Sequence, residues 1–115
     1  MNDLSLTEYD KVLYDSQPIE RTHPSDLAPL GRLFGINTVP LSSAKVLELG
    51  CGSGHNLFGL AAAYPEAEFV GVDLAKVQIE RGKDLAAKAG LSNLKLIHLS
   101  ITDITPDFGK FDYII

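Results

Sequence analysis

Val46-Leu47-Glu48-Leu49-Gly50-Cys51-Gly52-Ser53-Gly54-His55 is the stretch that decides the fold. Val46, Leu47 and Leu49 make a short apolar run of the kind that forms a buried strand. The run ends in a turn with glycine at alternate positions and continues into the Leu- and Ala-rich segment Asn56–Tyr64, which reads as a helix stopped by Pro65. Glycine in such a turn lets the chain adopt positive φ and leaves bare backbone against which a ligand can lie. A glycine-rich turn by itself is a weak signal. Here the preceding strand, the acid Glu48 near its end and the acid Asp73 further on support it.

Working outward, strands are expected at Lys45–Leu49, Glu68–Val72, Leu94–Leu99 and Phe111–Ile115, and a second helix at Ala75–Ala89, closed by Gly90. Ile101–Ile104 reads as a short turn or a single helical turn. Apolar strands alternating with helices predict an α/β fold with a parallel sheet and flanking helices. Asp73 stands at the tip of the second strand, 19 residues after Gly54. An acid about 20 residues beyond the glycine turn accepts hydrogen bonds from ribose hydroxyls in such units; the plainer reading is a cap on the next helix.

The dinucleotide fingerprint needs its third glycine at position 55, which is His55. The glycines instead run Gly50, Gly52, Gly54, with Glu48 two residues ahead. This acid-x-G-x-G-x-G pattern resembles the first motif of Rossmann-like class I S-adenosylmethionine-dependent methyltransferases. The resemblance implies S-adenosylmethionine as cofactor, with Gly50, Cys51, Gly52 and Gly54 as its bed. Glu48 would orient the turn and the amino group, Asn56 would stand beside the turn, and Asp73 with Leu74 would lie at the ribose. It implies adenine contacts from Ser100 and the Ile101 N–H, although the family frequently has an acid where Ser100 stands. Asp112, in the Phe-Asp start of the fourth strand, is implied to be structural.

A narrower resemblance runs through Tyr14-Asp15-Ser16-Gln17-Pro18, Thr22-His23-Pro24, Leu27, Leu30 and Leu33-Phe34-Gly35. It is to bacterial methyltransferases carrying a methyltransferase regulatory domain, a group that includes rickettsial protein-lysine methyltransferases. The resemblance implies protein lysine as methyl acceptor, with a small molecule as the alternative; no catalytic residue follows from it. On this reading residues 1–43 form an N-terminal helical cap and 44–115 the first half of the cofactor-binding domain, truncated after the fourth strand and inactive alone. A non-catalytic remnant, an interaction fragment self-associating through the exposed fourth strand, and an NAD-binding oxidoreductase module are the alternatives.

Upstream, Ser5-Leu6-Thr7-Glu8 has capping-box spacing and predicts a helix reaching Tyr14. Asp15–Arg21, containing Pro18, reads as irregular. Thr22 or His23 would cap a helix with Pro24 in its first turn and an apolar stripe of Leu27, Leu30 and Phe34, ended by Gly35. His23 reads equally as a site residue over the cofactor or as that cap. Tyr9 and Tyr14 read as aromatics packing a helix to the sheet, with a cover over the ligand as the alternative. His98 reads as strand packing or edge surface, and Asp103 as a cap or a ligand contact. Cys51, between two glycines, reads as a small buried side chain and not as a nucleophile.

Ten Lys and Arg against fifteen Asp and Glu, a net charge of −5, argue against broad phosphate binding and so against nucleic acid as partner. One cysteine and three scattered histidines lack metal-site spacing. The N-terminus lacks the basic-then-apolar pattern of a secretory signal. No apolar run approaches the roughly 20 residues of a membrane span, so a cytoplasmic location is expected.

Overall fold

Strand β1 (Lys45–Leu49) lies in the middle of the sheet because both of its faces are apolar. Successive side chains on a strand point to opposite faces: Val46 is buried on one and Leu47 on the other. In the computed structural model, which describes residues 6–12 and 16–115, β1 pairs in parallel with β2 (Glu68–Asp73) on one side and β4 (Tyr113–Ile114) on the other. Strand β3 (Leu94–His98) pairs in parallel with the far side of β2, giving the order β3-β2-β1-β4. The register sets Glu48 opposite Gly71 and Asp73 opposite His98, so both acids stand toward the carboxyl ends of adjacent strands. In open parallel sheets that edge is where ligands bind.

Helices α3 (His55–Ala63) and α4 (Lys76–Lys88) bury Leu57, Leu60, Ala61, Ile79 and Ala86 against Val46, Phe69, Leu94 and Leu96. On the other face Leu47, Val70 and Val72 are covered by Ile97, Leu99, Ile104, Phe108 and Phe111, from the end of β3 and the connection to β4. That connection contains two 3₁₀ turns, Ile101–Asp103 and Pro106–Phe108. Asn93 closes the far end of α3: its Nδ2 lies 3.0–3.1 Å from the carbonyl oxygens of Ala61, Tyr64 and Ala67.

The expected elements are present with shifted ends. α3 begins at His55, one residue earlier than expected, because Gly54 at φ 84° serves as its N-cap. The ladder of β4 is shorter than expected, since Asp112 already turns its carboxylate to accept the Lys45 N–H at 2.8 Å; this is the structural role its resemblance implied.

Helix α1 (Glu8–Lys11) is shorter than predicted and is capped at Thr7, whose N–H donates to Asp10 Oδ2 at 2.8 Å. Ser5, Tyr14 and Asp15 lie outside the described residues. Helix α2 (Pro24–Leu33) starts as predicted. Its apolar stripe does not form a single buried face: Leu27 packs against the core, whereas Leu30 and Phe34 are exposed. Only the first half of α2, through Pro24, Leu27 and Ala28, meets the core. Among the described residues no helix is long and apolar enough to cross a membrane.

Candidate functional site

The glycine turn is held by bonds to the tip of β2. The N–H groups of Gly50 and Cys51 both donate to the Val72 carbonyl, at 2.8 and 3.0 Å, and that of Gly54 donates to the Cys51 carbonyl at 2.9 Å. The Gly52 N–H donates to Asp73 Oδ2 at 2.8 Å, while Asp73 Oδ1 accepts the Ala75 N–H ahead of α4, also at 2.8 Å. Asp73 thus braces the turn, which its position had not suggested, and holds the N–H of Ala75, the N-cap residue of α4. Each carboxylate oxygen has one bond from these N–H groups and a further lone pair.

Gly50, Gly52 and Gly54 have φ of 74°, 58° and 84°, the region glycine adopts without penalty. At Gly50 a Cβ would meet nothing within 4 Å. The open space there belongs to a cleft of about 410 Å³ lined by Ser16, Gln17, Ile19, Glu48, Gly50, Cys51, Gly52 and Asn56. Five of the sequence-predicted site residues therefore share one cavity. Asp73 reaches it through its bond to Gly52. Leu74, Ser100 and Ile101 lie instead at the ends of β2 and β3 and do not line it.

Glu48 is buried, with 8% of its surface exposed. Burial pushes its carboxyl above the ordinary range, a bond from Asn56 Nδ2 pulls it back, and the Asp73 charge raises it further. Asn56 also donates to Thr22 Oγ1 at 2.9 Å and accepts the Ile19 N–H at 2.7 Å, so both amide protons are committed within the protein. Cys51 is buried with its side chain over Gly71, where an added Cβ would fall 2.7 Å from Sγ. Burial and the nearby Asp73 and Glu48 charges push its thiol far up, which agrees with packing and not with nucleophilic chemistry.

Ser100 Oγ is engaged with Thr102, 2.8 Å from its hydroxyl and 3.3 Å from its N–H, and Ile101 beside it is exposed. His98 Nε2 donates to the Leu74 carbonyl at 3.0 Å. His23 is the N-cap of α2, its Nδ1 accepting the Ser25 N–H at 3.1 Å. His55 Nδ1 pairs with Ser53 Oγ at 2.7 Å. Among the described residues no group of acids, histidines and cysteine has metal-binding geometry. A larger cleft, about 690 Å³ between Lys45, Glu68, Lys95 and Phe111, lies at the amino ends of the strands, away from Glu48.

Several contributors escaped the sequence reading. Ser16, Gln17 and Ile19 line the cleft from a segment read only as irregular. Gly71 and Gly82 did carry a signal: glycine inside a regular element marks close approach of another group. Gly71 receives Cys51, and Gly82 receives the turn itself.

The family model for a methyltransferase domain matches residues 40–115. The chain is 51% identical over 107 residues to the uncharacterized protein RP789 of Rickettsia prowazekii, covering 93% of this chain and 19% of that protein. PKMT2 of Rickettsia typhi, solved in complex with AdoHcy, superposes with a TM-score of 0.83 at 45% identity, covering 89% of this chain and 20% of PKMT2. A tRNA (guanine-N(7)-)-methyltransferase of Chloroflexus aurantiacus is 37% identical over 89 residues, covering 74% of this chain and 38% of that protein. The chain thus spans about a fifth of the length of RP789 and of PKMT2. With two thirds of its length matched by the family model, and with its glycine turn joined to Glu48 and Asp73 at the carboxyl edge of a parallel sheet, this chain belongs to the methyltransferase-domain family.

Proposed function

We propose that this chain is the S-adenosylmethionine-binding part of a methyltransferase. One observation carries the reading: the buried Glu48 carboxylate and the bare backbone of Gly50 line the same cleft, beside a turn braced by Asp73. The likeness to PKMT2, solved with AdoHcy, supports it. The donor set fits this cofactor. A buried carboxylate suits an ammonium group, which it pairs with more strongly than with water outside. Gly50, Cys51 and Gly52 offer surface without projecting side chains into the cleft, and Gly54 starts the helix beneath it. Asp73 would take ribose hydroxyls on its remaining lone pairs, and Leu74, Ser100 and Ile101 would flank the adenine. When bound, S-adenosylmethionine supplies an electrophilic methyl group. The chain's own part is to fix its orientation and exclude water, from which displacement between two bound partners draws most of its acceleration.

The same geometry disfavours a nicotinamide dinucleotide. The dinucleotide turn requires a third glycine at the position where His55 opens α3, and the N–H groups of Gly50, Cys51, Gly52 and Gly54 already have acceptors in the protein.

For the acceptor we propose protein lysine, supported by the Thr22-His23-Pro24 resemblance. The net charge of −5 weighs against a tRNA acceptor. Calorimetric titration tests the cofactor: S-adenosylhomocysteine is expected to bind, NAD is not, and Asp73→Ala is expected to lose binding. Uptake of NAD with none of the homocysteine nucleoside by the folded chain would overturn the reading. Incubating the longest soluble form of the protein with labelled S-adenosylmethionine and lysine-bearing proteins, tRNA or small amines tests the acceptor. Label on tRNA alone would sink the lysine assignment.

A further inference from the structure

Asn56 uses its whole amide on a junction between two parts of the chain. Its Nδ2 donates to Glu48, on the floor of the cleft, and to Thr22 Oγ1; its Oδ1 accepts the Ile19 N–H. Thr22 Oγ1 in turn donates to the Ile19 carbonyl at 2.9 Å, so Asn56 holds both ends of the 3₁₀ turn that follows Ile19. Immediately before that turn, Ser16, Gln17 and Ile19 form the outer wall of the cleft. Among the described residues little else holds the wall. Gln17, Pro18, Ile19, Glu20 and Arg21 are all exposed, and Ile19 keeps more than half of its surface in solvent.

From this junction we infer that the segment 16–22 is a removable wall of the cofactor cleft and that Asn56 is its latch. Cofactor enters and leaves when the bonds from Asn56 to Ile19 and Thr22 break, while Glu48 stays in place on the sheet. Asn56 is then a positioning residue that works through Glu48 and the wall. The inference rests on the cofactor reading above, and its test separates the two.

Arg21, exposed within the latched turn, is a built-in reporter of opening. Tryptic cleavage after Arg21 and the dissociation rate of S-adenosylhomocysteine would be measured on the wild-type chain, Asn56→Ala and Thr22→Val. Thr22→Val removes a wall bond and leaves the Asn56–Glu48 contact untouched. Both variants are expected to speed cleavage of the ligand-free chain and dissociation of the ligand by about fivefold or more, the factor that loss of one or two neutral hydrogen bonds gives. Saturating ligand should slow cleavage of the wild type.

Faster cleavage with an unchanged dissociation rate would overturn the gate, because the wall would then move without controlling exchange. An effect of Asn56→Ala that Thr22→Val does not share would overturn the latch and leave Asn56 as a support for Glu48 alone. Absence of ligand binding by the folded wild type would instead overturn the cofactor reading and the gate with it, whereas unchanged cleavage in both variants would overturn the latch with the cofactor reading intact.

Discussion

Gly82, in the middle of α4, faces the Ser53 carbonyl so closely that a Cβ built on it would lie 2.3 Å from that oxygen. The turn and the helix are in direct backbone contact there, and Leu96 closes the same spot at 2.6 Å. In an exposed helix, Gly→Ala gains up to about 1 kcal/mol. Here the sign reverses. Gly82→Ala is expected to cost about 1–3 kcal/mol through overpacking and to weaken S-adenosylhomocysteine binding by moving the turn. Urea denaturation and titration of the same variant check both effects; a stabilised variant would mean that helix and turn separate freely.

Gly50 and Gly90 separate backbone strain from ligand contact. Both have positive φ, 74° and 69°, and neither would bring a Cβ within 4 Å of another atom. Alanine at either should cost about 1–2 kcal/mol of stability for the left-handed conformation. Gly50→Ala also places a methyl group at the cleft, so it should lose ligand affinity by about tenfold or more, while Gly90→Ala, beyond the end of α4, should keep wild-type affinity. Equal affinities in the two variants would place the ligand elsewhere.

Glu48 sets stability against binding. Because burial raises its carboxyl above the ordinary value of 4.5, its contribution to stability is present below that value and is lost as pH rises through the displaced titration. Glu48→Gln should remove this loss, raising Tm of the ligand-free chain near neutral pH by roughly 2–5 °C and flattening its decline above pH 4.5. The same change should weaken S-adenosylhomocysteine binding at least about tenfold, since an ionised acceptor is replaced by a neutral amide. Scanning calorimetry across pH, run beside titrations, reads both. A variant less stable than wild type at neutral pH would show that Asn56 and its neighbours fully compensate the buried charge.

Asp10 ties α1 to α4: its Oδ1 accepts the Val77 N–H at 2.8 Å in the first turn of that helix. That bond, with those from Thr7, holds its carboxyl below the ordinary value of 3.8. A lowered value means that the contribution is present above the unfolded titration and is lost as pH falls through the folded one. Exchange of the Val77 amide, corrected for intrinsic rate, should therefore accelerate below about pH 4 while amides of β1 stay protected. Asp10→Ala should bring the fast exchange to neutral pH. Protection of Val77 unchanged in that variant would show that α1 does not depend on this bond.

Much of the architecture was legible from local pattern. Lys45–Leu49 is found as a strand at the predicted residues, and α3, α4 and the later strands differ by a residue or two at their ends. Such elements are written in short-range terms: apolar periodicity, Pro65 after one helix and Gly90 after another. The glycine turn with its two acids was legible for the same reason, as its spacing reflects a strand, a turn and a helix of ordinary length.

The side-chain partners were not. Nothing near Asp10 in the sequence announces Val77, 67 residues away, and nothing near Asn56 announces Ile19, 37 residues back. The stripe of Leu27, Leu30 and Phe34 had a regular period, yet only its first member found a core to enter. By itself the sequence determined where the strands and helices of the sheet lie and where the glycine turn falls between them, because those follow from contacts within one or two turns of chain. Tertiary structure alone decided that Ser16, Gln17 and Ile19 line the cleft and that Asn56 bonds to Ile19 and Thr22 beside it. Contacts between distant residues exist only once the sheet has brought them to one edge.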